Sequence, residues 1–234
     1  MKFRNELKYR LNFIDYTLIK ARLEAVCEKD KNVTSDGFYS VRSLYFDDYY
    51  NSAYNEKMIG VMNRQKFRIR IYNHSDQSIQ LERKIKANQY IHKQTSKLTR
   101  DAVYDILQGR YEFLLHSNDN LQRLFYHECM TNILRPRVVV DYEREPYVSE
   151  VGNLRITFDQ NIRAGEMGFD LFDRDMPMVG ALDPGLVILE VKYTDILPKM
   201  IRRILPAKAS EYGAVSKFVL CCDLTMHKRY FYSE

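Results

Sequence analysis

The sequence predicts an α+β fold built on antiparallel strands, with helices between runs of strands. Three observations lead there. Charged and apolar residues alternate with period two in several segments. The strands come in runs, with links too short for βαβ units. The 234 residues hold 18 Tyr and 12 Phe but only 9 Gly, a balance that suits strands. No Gly/Ser linker, repeat or low-complexity run divides the chain, so residues 1–234 are expected to form a single domain.

The first strand, Phe3 to Leu11, alternates almost without a break. Arg4, Glu6, Lys8 and Arg10 share one face, and Phe3, Leu7, Tyr9 and Leu11 share the other. Tyr39 to Phe46 follows, rich in aromatic and β-branched residues. In Gln65 to Tyr72, Lys66, Arg68 and Arg70 oppose Phe67, Ile69 and Ile71. In Ser78 to Lys86, Glu82, Lys84 and Lys86 oppose Ile79, Leu81, Arg83 and Ile85. Arg137 to Tyr142 is a Val-rich strand. In Leu154 to Asp159, Arg155, Thr157 and Asp159 oppose Leu154, Ile156 and Phe158. In Leu186 to Tyr193, Glu190 and Lys192 oppose Val187, Leu189, Val191 and Tyr193. Helices are fewer. Asp15 is placed to cap one through Val26, and Thr99 another through Leu107, closed by Gly109. A third runs from Asp119 to Leu134 with Leu121, Leu124, Phe125 and Ile133 inward. A short fourth spans Pro198 to Leu205. The segment after Ser216 reads as helix or strand.

Composition bounds the function. The chain carries 36 Lys+Arg against 31 Asp+Glu, a formal charge of +5. That is too modest, with carboxylates among the basic positions, to favour nucleic acid as the partner. Cys27, Cys129, Cys221 and Cys222 form no C-x-x-C pair and are expected to be reduced core residues. No apolar run approaches the roughly 20 residues of a membrane-spanning helix. The charged N-terminus does not read as a signal peptide. A cytoplasmic protein with no transmembrane segment is the expectation.

One strand with a charged face is ordinary, since that face meets water. Repetition of Arg and Lys at alternate positions in at least five segments is not. In a closed barrel such faces converge on one lumen, which is costly unless a polyanion fills it. Guanidinium and ammonium groups suit phosphate oxygens. Same-face residues roughly 6.6–6.8 Å apart along a strand suit a chain of phosphates. Glu6 and Glu190, each beside a same-face Lys, are the carboxylates placed to share Mg2+ or Mn2+ with phosphate.

Six motifs carry a resemblance. They are R-x-E-x-K-Y (Arg4, Glu6, Lys8, Tyr9), K-F-R-I-R (Lys66 to Arg70), Y-E-R (Tyr142 to Arg144), L-R-I-T-F-D (Leu154 to Asp159), L-E-V-K (Leu189 to Lys192) and V-S-K-F (Val215 to Phe218). In this order they resemble the polyphosphate polymerase domain of vacuolar transporter chaperones (VTC), a member of the triphosphate tunnel metalloenzymes and relative of the CYTH proteins. The resemblance implies a closed antiparallel β-barrel (tunnel) with helices packed around the outside, and an enzyme that moves the γ-phosphate of ATP onto growing inorganic polyphosphate with Mn2+ or Mg2+. It implies Lys8, Arg68, Arg70 and Arg155 as catalytic residues. Lys84, Lys93, Arg144, Lys192, Ser216 and Lys217 would bind phosphate, and Glu190 and Glu6 the metal. Arg4 stands where many tunnel triphosphatases carry the first Glu of E-x-E-x-K, which favours the polymerase branch. Arg144 has the parity of Val138, Val140 and Tyr142, so it joins the lumen only if a bulge or the strand's end near Pro146 turns it.

Two other readings stay open: a metal-dependent triphosphatase of the same fold, and a non-catalytic polyphosphate-binding protein. P-loop and Rossmann glycine motifs are absent. The five histidines lack zinc spacing. Asp47-Asp48 reads as a solvated turn before it reads as a metal pair. Lys199, Arg202, Arg203 and Lys208 form a basic cluster, a solvated helix face or an entrance that attracts polyphosphate.

Overall fold

The structure is a computed structural model that describes residues 4–88, 90–194, 196–206 and 215–229. Ten strands and seven α-helices lie among the described residues: β1 (Arg4–Leu11), α1 (Phe13–Glu24), β2 (Glu28–Lys29), β3 (Tyr39–Asp47), α2 (Ser52–Ile59), β4 (Asn63–Tyr72), β5 (Ser75–Ala87), β6 (Tyr90–Leu98), α3 (Arg100–Leu107), α4 (Glu112–Leu115), α5 (Asn120–Thr131), β7 (Arg135–Ser149), β8 (Leu154–Gly165), β9 (Met178–Gly180), β10 (Val187–Thr194), α6 (Lys199–Ile204) and α7 (Lys217–Arg229). The order of strands is β1-β10-β8-β7-β3-β4-β5-β6, with β2 on β7 and β9 on β8. This bears out the α+β class, and every pairing with a defined register is antiparallel. The order has two ends, β1 and β6, so among the described residues hydrogen bonds do not close the sheet, and the expected closed barrel is not shown.

The chain divides into two compact units. The first is Met1–Ser40, Tyr142–Ile162 and Leu182–Ser216. Its core holds Tyr9 and Leu11 of β1, Ile156 and Phe158 of β8, and Val187, Leu189 and Val191 of β10. Tyr16, Ile19 and Leu23 of α1 and Ile201 of α6 pack on them. The cap of α1 is Asn12, not Asp15: its side chain accepts the Asp15 amide, and Asp15 sits in the first turn, where a carboxylate suits the helix dipole. The Glu145 carboxylate, on β7, ties α1 down. It receives the Tyr16 hydroxyl at 2.9 Å and Lys20 Nζ at 2.9 Å.

The second unit is Val41–Asp141, Arg163–Ala181 and Lys217–Glu234. Its core holds Leu44 and Phe46 of β3, Phe67, Ile69 and Ile71 of β4, and Ile79 and Leu81 of β5. Val103, Ile106, Leu121, Phe125 and Cys129 of α3 and α5 cover them. Thr99 caps α3, as expected, and Asp119, expected inside the helix, caps α5. Ile133 is instead half exposed at φ 53°, because α5 stops at Thr131 and the chain turns. The segment after Ser216 is helix. Cys129, Cys221 and Cys222 are free and buried, and Cys27 is free and half-buried.

Asp141 anchors the second unit. It is fully buried, and its carboxylate meets Arg42 at 2.8 Å, Arg163 at 2.6 Å and His74 at 3.2 Å. Arg42 also donates to the Leu171 and Asp173 carbonyls, which pins that loop. Removing one partner strands buried charge. Asp141→Ala is expected to cost about 3–5 kcal/mol in urea unfolding. Breaking the exposed Arg110–Asp105 pair with Asp105→Ala is expected to cost less than about 1 kcal/mol.

Candidate functional site

In each unit the strands turn one face to the core and leave a charged face opposite. In the first unit, register aligns Lys8 with Glu190 and Thr157, and Glu6 with Lys192 and Arg155. Lys8 Nζ lies 2.9 Å from one Glu190 oxygen and Lys192 Nζ 3.0 Å from the other. Both ammonium groups also stand 3.6 Å from Glu6. Arg144 grips Asp159 with two bonds, of 2.7 and 2.8 Å, and stands 3.8 Å from Glu190. Burial opposes the Arg144 charge, but Asp159 and Glu190 hold it firmly protonated. Burial lowers the Lys192 pKa despite Glu190 and Glu6. Arg155 reaches Asp30 at 3.1 Å and the Tyr39 hydroxyl at 3.0 Å. The Thr157 hydroxyl is buried in this row without a hydrogen-bond partner.

In the second unit, one row runs Tyr45, Arg68, Glu82 across β3, β4 and β5. Arg68 donates to Glu82 at 2.6 Å and to the Tyr45 hydroxyl at 2.8 Å. Lys93 donates to the other Glu82 oxygen at 2.8 Å. Arg70 donates to the Ser43 hydroxyl at 3.0 Å. Burial would raise the Glu82 pKa, but Arg68, Arg70 and Lys93 bring it down to about 2. Burial would likewise raise the Tyr45 phenol, yet Arg68, Lys66 and Arg70 pull it down to about 7. The next row places Lys66, Lys84 and Lys93 directly opposite one another on three adjacent strands. Directly opposed like charges destabilise a sheet.

The sequence-predicted residues therefore form two clusters. Glu6, Lys8, Arg144, Arg155, Glu190 and Lys192 gather in the first unit, and Arg68, Arg70, Lys84 and Lys93 in the second. Ser216 precedes α7 and Lys217 opens it. The next residue, Phe218, packs its ring 5.0 Å from that of Tyr45. Arg144 needs no bulge to join its cluster. Val139 and Tyr147 are the residues of β7 that enter the cores, so Val138, Val140 and Tyr142 share the charged face with Arg144. Asp47 is neither solvated nor half of a metal pair. It is buried and accepts the amides of Asp48, Ala53 and Tyr54, which seats α2. Lys199, Arg202 and Arg203 lie exposed on α6, and Lys208 lies outside the described residues. Sequence reasoning missed Tyr45, Glu82 and Asp159 as site residues. The signal for Glu82 and Asp159 was their parity with Lys84 and Arg155.

Could these residues hold a metal? Among the described residues, no three His, Cys, Asp or Glu side chains gather as a ligand set. Glu6 and Glu190 bind the same two lysines, so two carboxylates are available in one place. Mg2+ is held by one or two carboxylates with phosphate oxygens and water. The donor set thus fits a divalent cation that comes with phosphate, and does not fit a cage built of protein alone.

Charged faces set opposite the two cores define the class: an antiparallel α+β protein with polar faces rich in Arg, Lys and a few buried carboxylates. The VTC domain model matches residues 3–226, and the chain belongs to the VTC domain family. It is similar to the Hippeastrum protein HpAC1, assigned as an adenylyl cyclase and described as having a dominant triphosphatase activity. That likeness has a TM-score of 0.55 and 14% identity, over 96% of this chain and 97% of that one. At that identity it is a likeness of fold. The PH1012 protein of Pyrococcus horikoshii matches with a TM-score of 0.48 and 16% identity, over 94% of this chain and 99% of that one. No curated protein sequence matches. No helix among the described residues is long and apolar enough to cross a membrane.

The lysine row predicts a trade. Lys84→Gln is expected to raise stability by about 0.2–1 kcal/mol through relief of cross-strand repulsion. The gain should shrink in about 1 M salt, where screening already weakens that repulsion. Urea unfolding at low and high salt checks both.

Proposed function

We propose that the protein is a polyphosphate polymerase that transfers the γ-phosphate of ATP to a growing inorganic polyphosphate chain. The observation that carries this reading is the in-register row Lys66, Lys84 and Lys93 beside Arg68 and Arg70. Basic side chains repeated across adjacent strands suit a phosphate chain, whose oxygens recur at regular intervals.

Phosphoryl transfer asks the protein for alignment and charge neutralisation. Lys8 and Arg155 in the first unit, and Arg68 and Arg70 in the second, are assigned as the catalytic cations for phosphate oxygens. Lys84, Lys93, Arg144, Lys192, Ser216 and Lys217 are assigned to the rest of the phosphate path. Glu190 and Glu6 would hold Mg2+ or Mn2+, which supplies further neutralisation of the nucleotide phosphates. With the metal gone, Lys8 and Lys192 keep those carboxylates paired. The acceptor is a phosphate oxygen, already anionic at neutral pH, so no strong general base is required.

A second reading is a triphosphatase, with water as acceptor. It is favoured by the fold shared with the Hippeastrum protein described as a triphosphatase. The protein is placed in the cytoplasm on this proposal, where ATP is available.

Incubation with ATP and Mn2+, followed by separation of polyphosphate from orthophosphate, decides between the two. Polyphosphate is the expected product; orthophosphate alone would establish the triphosphatase, and neither product would leave a binding protein. Arg70→Ala is expected to lower kcat by about 10²–10³, the cost of one lost oxyanion donor. Unchanged turnover in the folded variant would defeat the assignment. Chelation of the metal should abolish turnover.

A further inference from the structure

Arg68 is shared before any substrate arrives. Its guanidinium spans from Glu82 on one neighbouring strand to the Tyr45 hydroxyl on the other. Glu82 is a fixed partner: it is almost fully buried, it also holds Lys93, and it sits directly opposite Arg68 in the ladder. Tyr45 is the exchangeable partner, because a hydroxyl competes poorly with a phosphate oxygen for a guanidinium.

We propose that Tyr45 is a positioning residue that holds Arg68 in the empty site and yields it to an incoming phosphate, so that loading the site takes up a proton on the Tyr45 oxygen. The inference rests on the reading of this face as a phosphate site, and adds a proton to its binding equilibrium. The surroundings of Tyr45 support it. From β4, Lys66 stands 5.2 Å and the Arg68 guanidinium 5.6 Å from the ring centre, with Arg70 next along the strand. From β5, Glu82 lies behind Arg68. From α7, Phe218 covers the ring, with Lys217 beside it in sequence. Farther along α7, Cys222 feels Lys66, Asp47, the neighbouring Asp223 and Arg137 of β7. Asp47, next on the same face of β3, is committed to the amides that seat α2. The cations dominate, which is why the phenol ionises near neutrality.

The balance is simple. Above about pH 7 the empty site holds a Tyr45 phenolate against Arg68 and its neighbours. A phosphate oxygen that takes Arg68 brings its own negative charge beside the phenolate. The phenolate then accepts a proton from water or buffer, and no bond other than O–H forms. Affinity for phosphate must therefore fall as pH rises through this range, by up to about tenfold per pH unit for one proton.

The test uses the full chain and metal-free inorganic tripolyphosphate. Phenolate absorbance is followed against pH with and without ligand, and affinity is measured by calorimetry from pH 6 to 9. In the native protein, one tyrosine should titrate near pH 7. Saturating tripolyphosphate should move that titration up by about one pH unit or more, a tenfold gain in proton affinity. Tyr45→Phe should lose the titration and show a flatter fall of affinity with pH, ligand protonation being common to both proteins. Binding without the shift, or identical pH profiles in the two proteins, overturns the coupling alone. No binding at any pH overturns the phosphate-site reading and the coupling together.

Discussion

Charge removed from water must be paired, and in this protein a few buried carboxylates do the pairing. Glu190 stands between Lys8 and Lys192, Glu82 between Arg68 and Lys93, and Asp159 fills the fork of Arg144. Each carboxylate makes a set of cations tolerable on a half-buried face and fixes where their donors point. Without it the strands would have to expose these residues or exchange them for neutral ones. Asp141 and Glu145 apply the same rule structurally, one locking a loop and the other a helix.

The two units apply the rule to different degrees. In the first, Lys8, Lys192, Arg144 and Arg155 face Glu6, Glu190, Asp159 and Asp30, so the cluster is balanced. In the second, Arg68 and Lys93 hold Glu82, and Lys66, Arg70 and Lys84 lie on the same face of the ladder. The balanced cluster has carboxylates that can be released to a divalent cation. In the second cluster Arg68, Lys66 and Arg70 pull down even the phenol of Tyr45.

Much of this was legible because period two is a property of the sequence itself. Arg68 and Arg70 among Phe67, Ile69 and Ile71 can only alternate, and the core took the apolar set. Arg144 was misjudged because β7 is buried on both faces along Val138, Val139 and Val140, where hydrophobicity no longer tells the sides apart. Tyr45 was missed because an aromatic residue in an aromatic-rich strand gives no sign of the cations across the ladder. Helix α2 was missed because none of its residues is buried, so it carries no apolar stripe. Most of β6 is exposed, which erased its alternation. Closure of the sheet depends on whether two end strands meet, and no local pattern encodes that.

The central claim is that these faces hold their cations for phosphate. A crystal structure of the chain with tripolyphosphate and Mn2+ tests it most directly. Phosphorus density within hydrogen-bond reach of Arg68, Arg70 and Lys84 is the predicted result. Phosphate held only by the exposed Lys199, Arg202 and Arg203 of α6, with Arg68 still shared by Tyr45 and Glu82, would contradict it.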